Sequence, residues 1–367
     1  MFSEFLGKIR HTPDKWLILL TLLSVLMAVA WGYVVVFFSG AMYLALGANT
    51  LLVLALSTAL SRRVAALTRQ KEASRTEILA QKQLLNKGLN QLSTLKAKSV
   101  EIEKELSLAR EIQLAMIPPR SKYSSIGSIY LPMGKIGGDF FDIIPLNERQ
   151  QGIFICDVTG HGVPAALITM MIKSMILVGI SELPNDPAAS WLTDPRRFIV
   201  HMNNALLGHL RENFTTAFYG IYDKVDKTLR YSSAAHPPPI LLRYGADSPD
   251  VDLGFLNVSP QSPPFGVHLF GDEKPAIGVN QITLPENSRL LFYSDGLMDN
   301  VGYDFLNFEA GMDSFEGTVL YDFFRESKSF NLQGFMESLS ILLLMHKDLG
   351  LEDDVCVVAL ENDLKTG

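Results

Sequence analysis

Cysteine is nearly absent. Cys156 and Cys356 are the only two in 367 residues, and each sits in an apolar, strand-like run, GIFICDV and DDVCVVAL. Two separated thiols cannot build a disulfide framework or a zinc site, which leaves buried free thiols in a reducing compartment. Basic tracts are missing too. A net charge of −7 and a sequence pI near 5.6 exclude a general nucleic-acid binder, which needs a basic surface. There is no internal repeat and no low-complexity segment. Residues 62–115 lack proline and hold one glycine, and two long stretches lack charge altogether.

Those uncharged stretches are Trp16–Phe38, 23 residues, and Ala41–Leu60, 20 residues. Each is long enough to cross a bilayer core as a helix, and their apolar residues run all the way round. They predict two spans, about 16–38 and 41–60, joined tightly near Ser39 and Gly40 and forming a transmembrane hairpin over 1–61. A cleaved signal peptide is the rival reading of the first span, but it is long for that and a second span follows at once. Lys8, Arg10 and Lys15 precede the hairpin and Arg62, Arg63 and Arg69 follow it. The positive-inside rule then predicts a multi-pass protein of the inner (cytoplasmic) membrane, both termini cytosolic.

The stretch 62–116 is rich in Lys, Glu, Gln, Ala and Leu and reads as one long helix. Ile78, Leu85, Leu92 and Leu106 keep a seven-residue spacing that Ser99 interrupts, and Leu95, Ile102 and Ala109 form a second seam. This is the pattern of a two-stranded coiled coil and predicts a homodimer through the linker. Gln81 and Gly88 weaken the second seam toward the membrane. A single solvated helix lying on the next domain is the alternative. Pro118-Pro119 ends the helix.

Beyond the proline pair, residues 117–367 change to short β-rich runs punctuated by Gly and Pro: DFFDII, QGIFICDV, AFYGIYD, LRYSSA, PILLRY, SRLLFYSDG and DDVCVVAL. Helices are predicted at Val163–Ile180, roughly Pro195–Arg211, Val319–Phe324 and Leu332–His346. Strands with helices between them indicate a layered α+β domain.

Four acidic clusters lie at strand ends or turns: GGDFFD (137–142), CDVTGHG (156–162), YSDGLMDN (293–300) and EDD (352–354). A strand ending in Asp is costly when buried unless the carboxylate is paired or bound to a cation. Carboxylates without a His/Cys cluster suit Mg²⁺ or Mn²⁺. Each cluster alone could be an ordinary Asp-Gly turn.

In this order, GGDFFD, DVTGHGVPAALIT, TTAFYGIYD, LRYSSAAHPPPILL, LLFYSDGL and DDVCVVAL resemble the PPM-type metal-dependent protein phosphatases, in particular their bacterial SpoIIE-like branch. The resemblance covers about residues 105–362, beginning with AREIQLAMIPP. It implies a two-layer β-sandwich flanked by helices and two Mg or Mn ions at one end. Carried over, Asp157 would bridge the ions, the Val158 carbonyl would ligate one, Asp295 and Asp353 would complete the other, and Asp139 would hold the second, partly through water. The cations would acidify an attacking water, so no covalent phosphoenzyme is needed. The implied activity is hydrolysis of phosphoserine or phosphothreonine on a regulatory protein, an anti-sigma-factor antagonist by resemblance.

Other residues carry two readings each. Lys135 could meet substrate phosphate or be a solvated loop lysine. His161 could be a general acid or pack in its turn; it lies four residues after Asp157, whereas eukaryotic relatives place their acid histidine two after, where Thr159 stands here. His236 matches a motif with a structural role, and Asp142, Asp299 and Asp354 read as supporting or turn residues. Cys356 departs from the family's DDxT, and LMDN from its usual ending after SDG. The apolar helix from Val163 is read as mostly buried and, by resemblance, as a switch whose shifts would move Asp157, with Val163, Met170 and Met171 as regulatory positions and methionines easing repacking. The competing functional reading is a non-catalytic, membrane-tethered adaptor that binds phosphorylated partners; hydrolysis of small phosphate esters is another.

Overall fold

The computed structural model describes residues 13–34, 40–119, 125–183, 189–210, 213–245, 250–260, 262–267, 277–300, 318–347, 351 and 353–362. Lys8, Arg10, Ser39 and residues 35–38 of the first predicted span lie outside them. The chain divides into two compact units, 1–100 and 101–367.

In the first unit, helix α1 spans Pro13–Val34, and helix α2 begins at Gly40 and continues without a break to Met116 in the second unit. The second predicted span and the linker are therefore one helix. Leu22, Leu23, Leu44 and Leu51 are exposed, and hydroxyls are satisfied within the helix, as where Thr21 donates to the Leu17 carbonyl at 2.8 Å. A cleft lined by Ser24, Ala28, Asn49 and Thr50 lies between α1 and the start of α2. The seam residues Ile78, Leu85, Leu92, Leu95 and Ile102 are exposed in the single chain.

Among the described residues, the second unit has ten strands. They are β1 (Ile126–Leu131), β2 (Asp139–Pro145), β3 (Gln150–Val158), β4 (Thr215–Asp223), β5 (Thr228–Ala234), β6 (Ile240–Tyr244), β7 (Val251–Phe255), β8 (Asn280–Thr283), β9 (Ser288–Tyr293) and β10 (Val355–Asn362). They form two antiparallel sheets, ordered β1-β10-β9-β6-β7 and β2-β3-β4-β5-β8. Alternation puts Phe141, Ile143, Ile153, Ile155 and Phe218 of one sheet against Leu290, Phe292, Val358 and Leu360 of the other. The opposite faces are covered by helices. Helices α3 (Val163–Glu182) and α4 (Pro195–Leu206) pack on Phe140, Phe154 and Tyr219. A short helix α5 (Gly296–Asp299) follows β9, and α6 (Val319–Glu326) and α7 (Leu332–Lys347) cover the second sheet around Leu291, Tyr293 and Val357.

The order of layers is helices, sheet, sheet, helices. Three strands that the sequence pattern does not announce, β1, β7 and β8, are all sheet edges of four to six residues, too short to stand out from the flanking loops. The helix expected to reach Arg211 stops at Leu206, because Leu207 turns to ψ 129 and Gly208 adopts φ +82.

Helix α3 corrects a second expectation. It is apolar for most of its length, yet only one side is buried: Ala165, Ile168, Ile172 and Ile176 face the sheet, while Val163, Leu167, Leu177 and Val178 are exposed. By length and hydropathy it passes as a span, as α2 does from Met42, but its buried face belongs to the sandwich. Met170 and Met171 lie half-buried at its flank.

Candidate metal centre

The carboxylates gather at one end of the sandwich because four elements start or stop there. Asp139 opens β2, and Asp157 stands directly across from it near the end of β3. Asp295 follows β9, and Asp353 and Asp354 precede β10. Carboxylate oxygens of Asp295, Asp299 and Asp353 all lie within 4.8 Å of one another. Asp299, expected only as a supporting or turn residue, joins this group. Its signal is present in the sequence: four residues after Asp295 is one helical turn, and α5 brings both to one side.

The glycines permit the crowding. A Cβ on Gly138 would stand 2.7 Å from the Val158 carbonyl oxygen, and one on Gly137 2.5 Å from Asp354 Oδ2. At Gly296 it would overlap the Asp354 carbonyl. Gly160 and Gly162, at φ +92 and +80, turn the chain from β3 into α3. His161 between them is exposed, Lys135 is exposed in the loop before Gly137, and Val158 is buried with its carbonyl against Gly138.

Asp354 has a defined task. Its carboxylate accepts the Met133 and Gly138 backbone N–H groups, each at 2.6 Å, and so ties the start of β10 to the loop preceding Asp139. The Ser294 hydroxyl donates to Asp139 Oδ2 at 2.5 Å. Gln113, near the end of α2, is buried; its amide donates to the Gly137 carbonyl at 2.8 Å and to Thr169 Oγ1 at 3.3 Å, and its Oε1 accepts Gly137 N–H at 3.2 Å. One side chain thus joins α2, the loop before Asp139 and α3. Asp142 is not at the site. It points to the helix side of β2, where it meets Lys173 of α3 at 2.7 Å, both buried or nearly so. Lys173 is the only charge in the Val163–Ile180 run, and that isolation is its signal in the sequence.

Clustered negative charge shows in the proton affinities. Burial first, then the Asp157 charge, hold Asp139 well above the usual carboxylate range, with the Ser294 hydrogen bond opposing. Burial, with Asp295, Asp353 and Asp354, raises Asp157 to about 7. Burial, with Asp353 and Asp299, raises Asp295 to about 6. An all-oxygen donor set with unbalanced charge fits hard divalent cations.

Fold and site together define a PP2C-like phosphatase domain. The SiaA-PP2C domain of Pseudomonas aeruginosa superposes with a TM-score of 0.56 at 20% identity, covering 73% of this chain and 99% of that domain. The family model for stage II sporulation protein E (SpoIIE) matches residues 147–363, more than half of the chain, which therefore belongs to the SpoIIE family. The chain is 29% identical over 199 residues to phosphoserine phosphatase RsbP of Bacillus subtilis, covering 54% of this chain and 46% of RsbP. It is 28% identical over 149 residues to phosphoserine phosphatase RsbU of the same organism, covering 40% and 42%. The chain thus spans less than half the length of these relatives.

Proposed function

We propose that this protein is a metal-dependent protein serine/threonine phosphatase anchored in the membrane. The observation that carries the reading is the convergence of carboxylates from β2, β3, the β9–α5 turn and the start of β10, with Asp139 and Asp157 side by side. Asp139, Asp157, Asp295, Asp299 and Asp353, with the Val158 carbonyl, would hold two Mg²⁺ or Mn²⁺ ions. Such ions supply the charge that acidifies water and neutralises phosphoryl oxygens. The chain's own residues keep the donors in register: Ser294 orients Asp139, Asp354 fixes the Gly138 amide, and Gln113 braces Gly137. Lys135, exposed in the loop before Gly137, would attract substrate phosphate.

The names of RsbP and RsbU support phosphoserine as the group hydrolysed, and the family resemblance supports an anti-sigma-factor antagonist as the protein that carries it. Two apolar helices sharing a cleft, with the basic residues that follow, support a hairpin in the cytoplasmic membrane over 1–61, a dimeric linker over 62–116 and a cytosolic phosphatase domain over 117–367. The test is phosphate release by the full chain in detergent from a phosphoserine protein and from a sugar phosphate, with and without Mn²⁺. Mn²⁺-dependent release from the protein alone is expected. Binding without release would favour the adaptor, and preference for the sugar phosphate would overturn the substrate class.

A further inference from the structure

Hydrogen-bonded strands β2, β3 and β4 carry three residues in one row: Asp139 pairs with Asp157, and Asp157 pairs with Thr216. Residues directly opposite on neighbouring strands project to the same face. Thr216 therefore shares the face and the end of the sheet that hold the two carboxylates, on the far side of Asp157 from Asp139. It is half-buried, at the border between the core and the open site.

Behind it stands His236, only 1% exposed, with Nδ1 2.9 Å from Thr216 Oγ1. The His236 backbone is fixed on both sides by Ser233, whose hydroxyl accepts its N–H and donates to its carbonyl, each at 3.2 Å. Burial pushes the imidazole down to about 3, while the Tyr293 backbone acts in the opposite direction by favouring a proton on the ring. A neutral imidazole has one donor and one acceptor nitrogen. A hydroxyl can donate to one partner while accepting from another, so the contact with Nδ1 leaves Thr216 Oγ1 able to bond toward the site.

Thr216 and Asp157 are directly paired across β3 and β4 with no hydrogen bond between their side chains, and His236 holds the hydroxyl at that end of the row. We propose that Thr216, oriented by His236, is a positioning residue that hydrogen-bonds to the water lying beside Asp157 and so aims that water for attack on the phosphoryl group. The inference rests on the phosphatase reading above. It gives His236 a task beyond turn packing, and it makes the third strand of the row part of the site.

The experiment uses the full chain in detergent carrying Thr216→Val, Thr216→Ser, His236→Phe or the Val/Phe pair. Two quantities are read: Mn²⁺ binding, from the paramagnetic resonance of the free ion, and kcat and KM on a phosphoserine peptide. Thr216→Val should weaken Mn²⁺ binding and lower kcat by about tenfold each, the usual scale for a partner of a ligand, with KM within about twofold. Thr216→Ser should recover to within about threefold. His236→Phe should match Thr216→Val, and the pair should be no worse than either alone, because the two act as one unit. If His236→Phe does not fold, the Val and Ser variants decide by themselves. A Thr216→Val protein equal to the parent in both readouts overturns the proposal, as does a Ser variant as impaired as Val. A parent that binds Mn²⁺ without releasing phosphate sinks the phosphatase reading while the binding arm still judges the pair. A parent that binds no Mn²⁺ sinks both.

Discussion

Asp139 and Asp157 face each other as directly paired residues of antiparallel strands, an arrangement in which like charges repel. Burial, with the Asp157 charge, raises Asp139 above its ordinary value; burial, with the charges of Asp295, Asp353 and Asp354, raises Asp157 to about 7; and burial, with Asp353 and Asp299, raises Asp295 to about 6. The folded chain therefore binds protons that the unfolded chain, titrating near 4, has already released. Stability falls as pH rises from about 4 through about 7, by up to about 1.4 kcal/mol per pH unit for each such carboxylate. Chelated protein should melt several degrees higher at pH 5 than at pH 8, and Mn²⁺ should raise the melting temperature more at pH 8. Calorimetry with and without Mn²⁺ checks both signs; a chelated protein more stable at pH 8 would contradict this account.

Asp295→Asn should abolish nearly all phosphate release while the fold survives, since the change is isosteric and removes one repelling charge. Asp299→Asn should weaken Mn²⁺ binding as well, which a mere turn residue would not do. Turnover and Mn²⁺ titration of the two variants separate these outcomes.

Lys173→Met should cost about 3–5 kcal/mol by leaving Asp142 buried without its cation, and Asp142→Leu in the same chain should restore most of it. Denaturant unfolding of both variants measures the difference. No recovery in the double variant would mean that the pair does more than neutralise charge.

Replacing Leu92 and Leu106 with charged residues should convert a dimer to a monomer and change specific activity. Gln113→Leu should change activity without changing the oligomeric state, because it severs the link from α2 to Gly137 and Thr169 inside one chain. Sedimentation and peptide turnover on the same samples test this. Activity indifferent to both changes would reduce the linker to a tether.

Added protease outside intact cells should leave the phosphatase domain whole if the proposed hairpin follows the basic residues that flank it. Cleavage there, in cells whose membranes remain sealed, would invert the topology.

The sequence by itself marked the acidic turns and where most of the helices run. Asp-Gly turns closing apolar strands, two uncharged stretches and a glycine-poor linker are local patterns, written in the residues that form them. The sheet centres were equally legible, because β3, β4, β9 and β10 are buried on both faces and read as continuous apolar runs. Only the tertiary structure decided which partners meet. Asp142 and Asp139 are three residues apart in one strand, and alternation sends one to Lys173 and the other to the metal end. Gln113 reaches Gly137, and Thr216 stands beside Asp157 with His236 behind it, through strand register and layer packing. Such contacts join residues tens of positions apart, and no local periodicity encodes them.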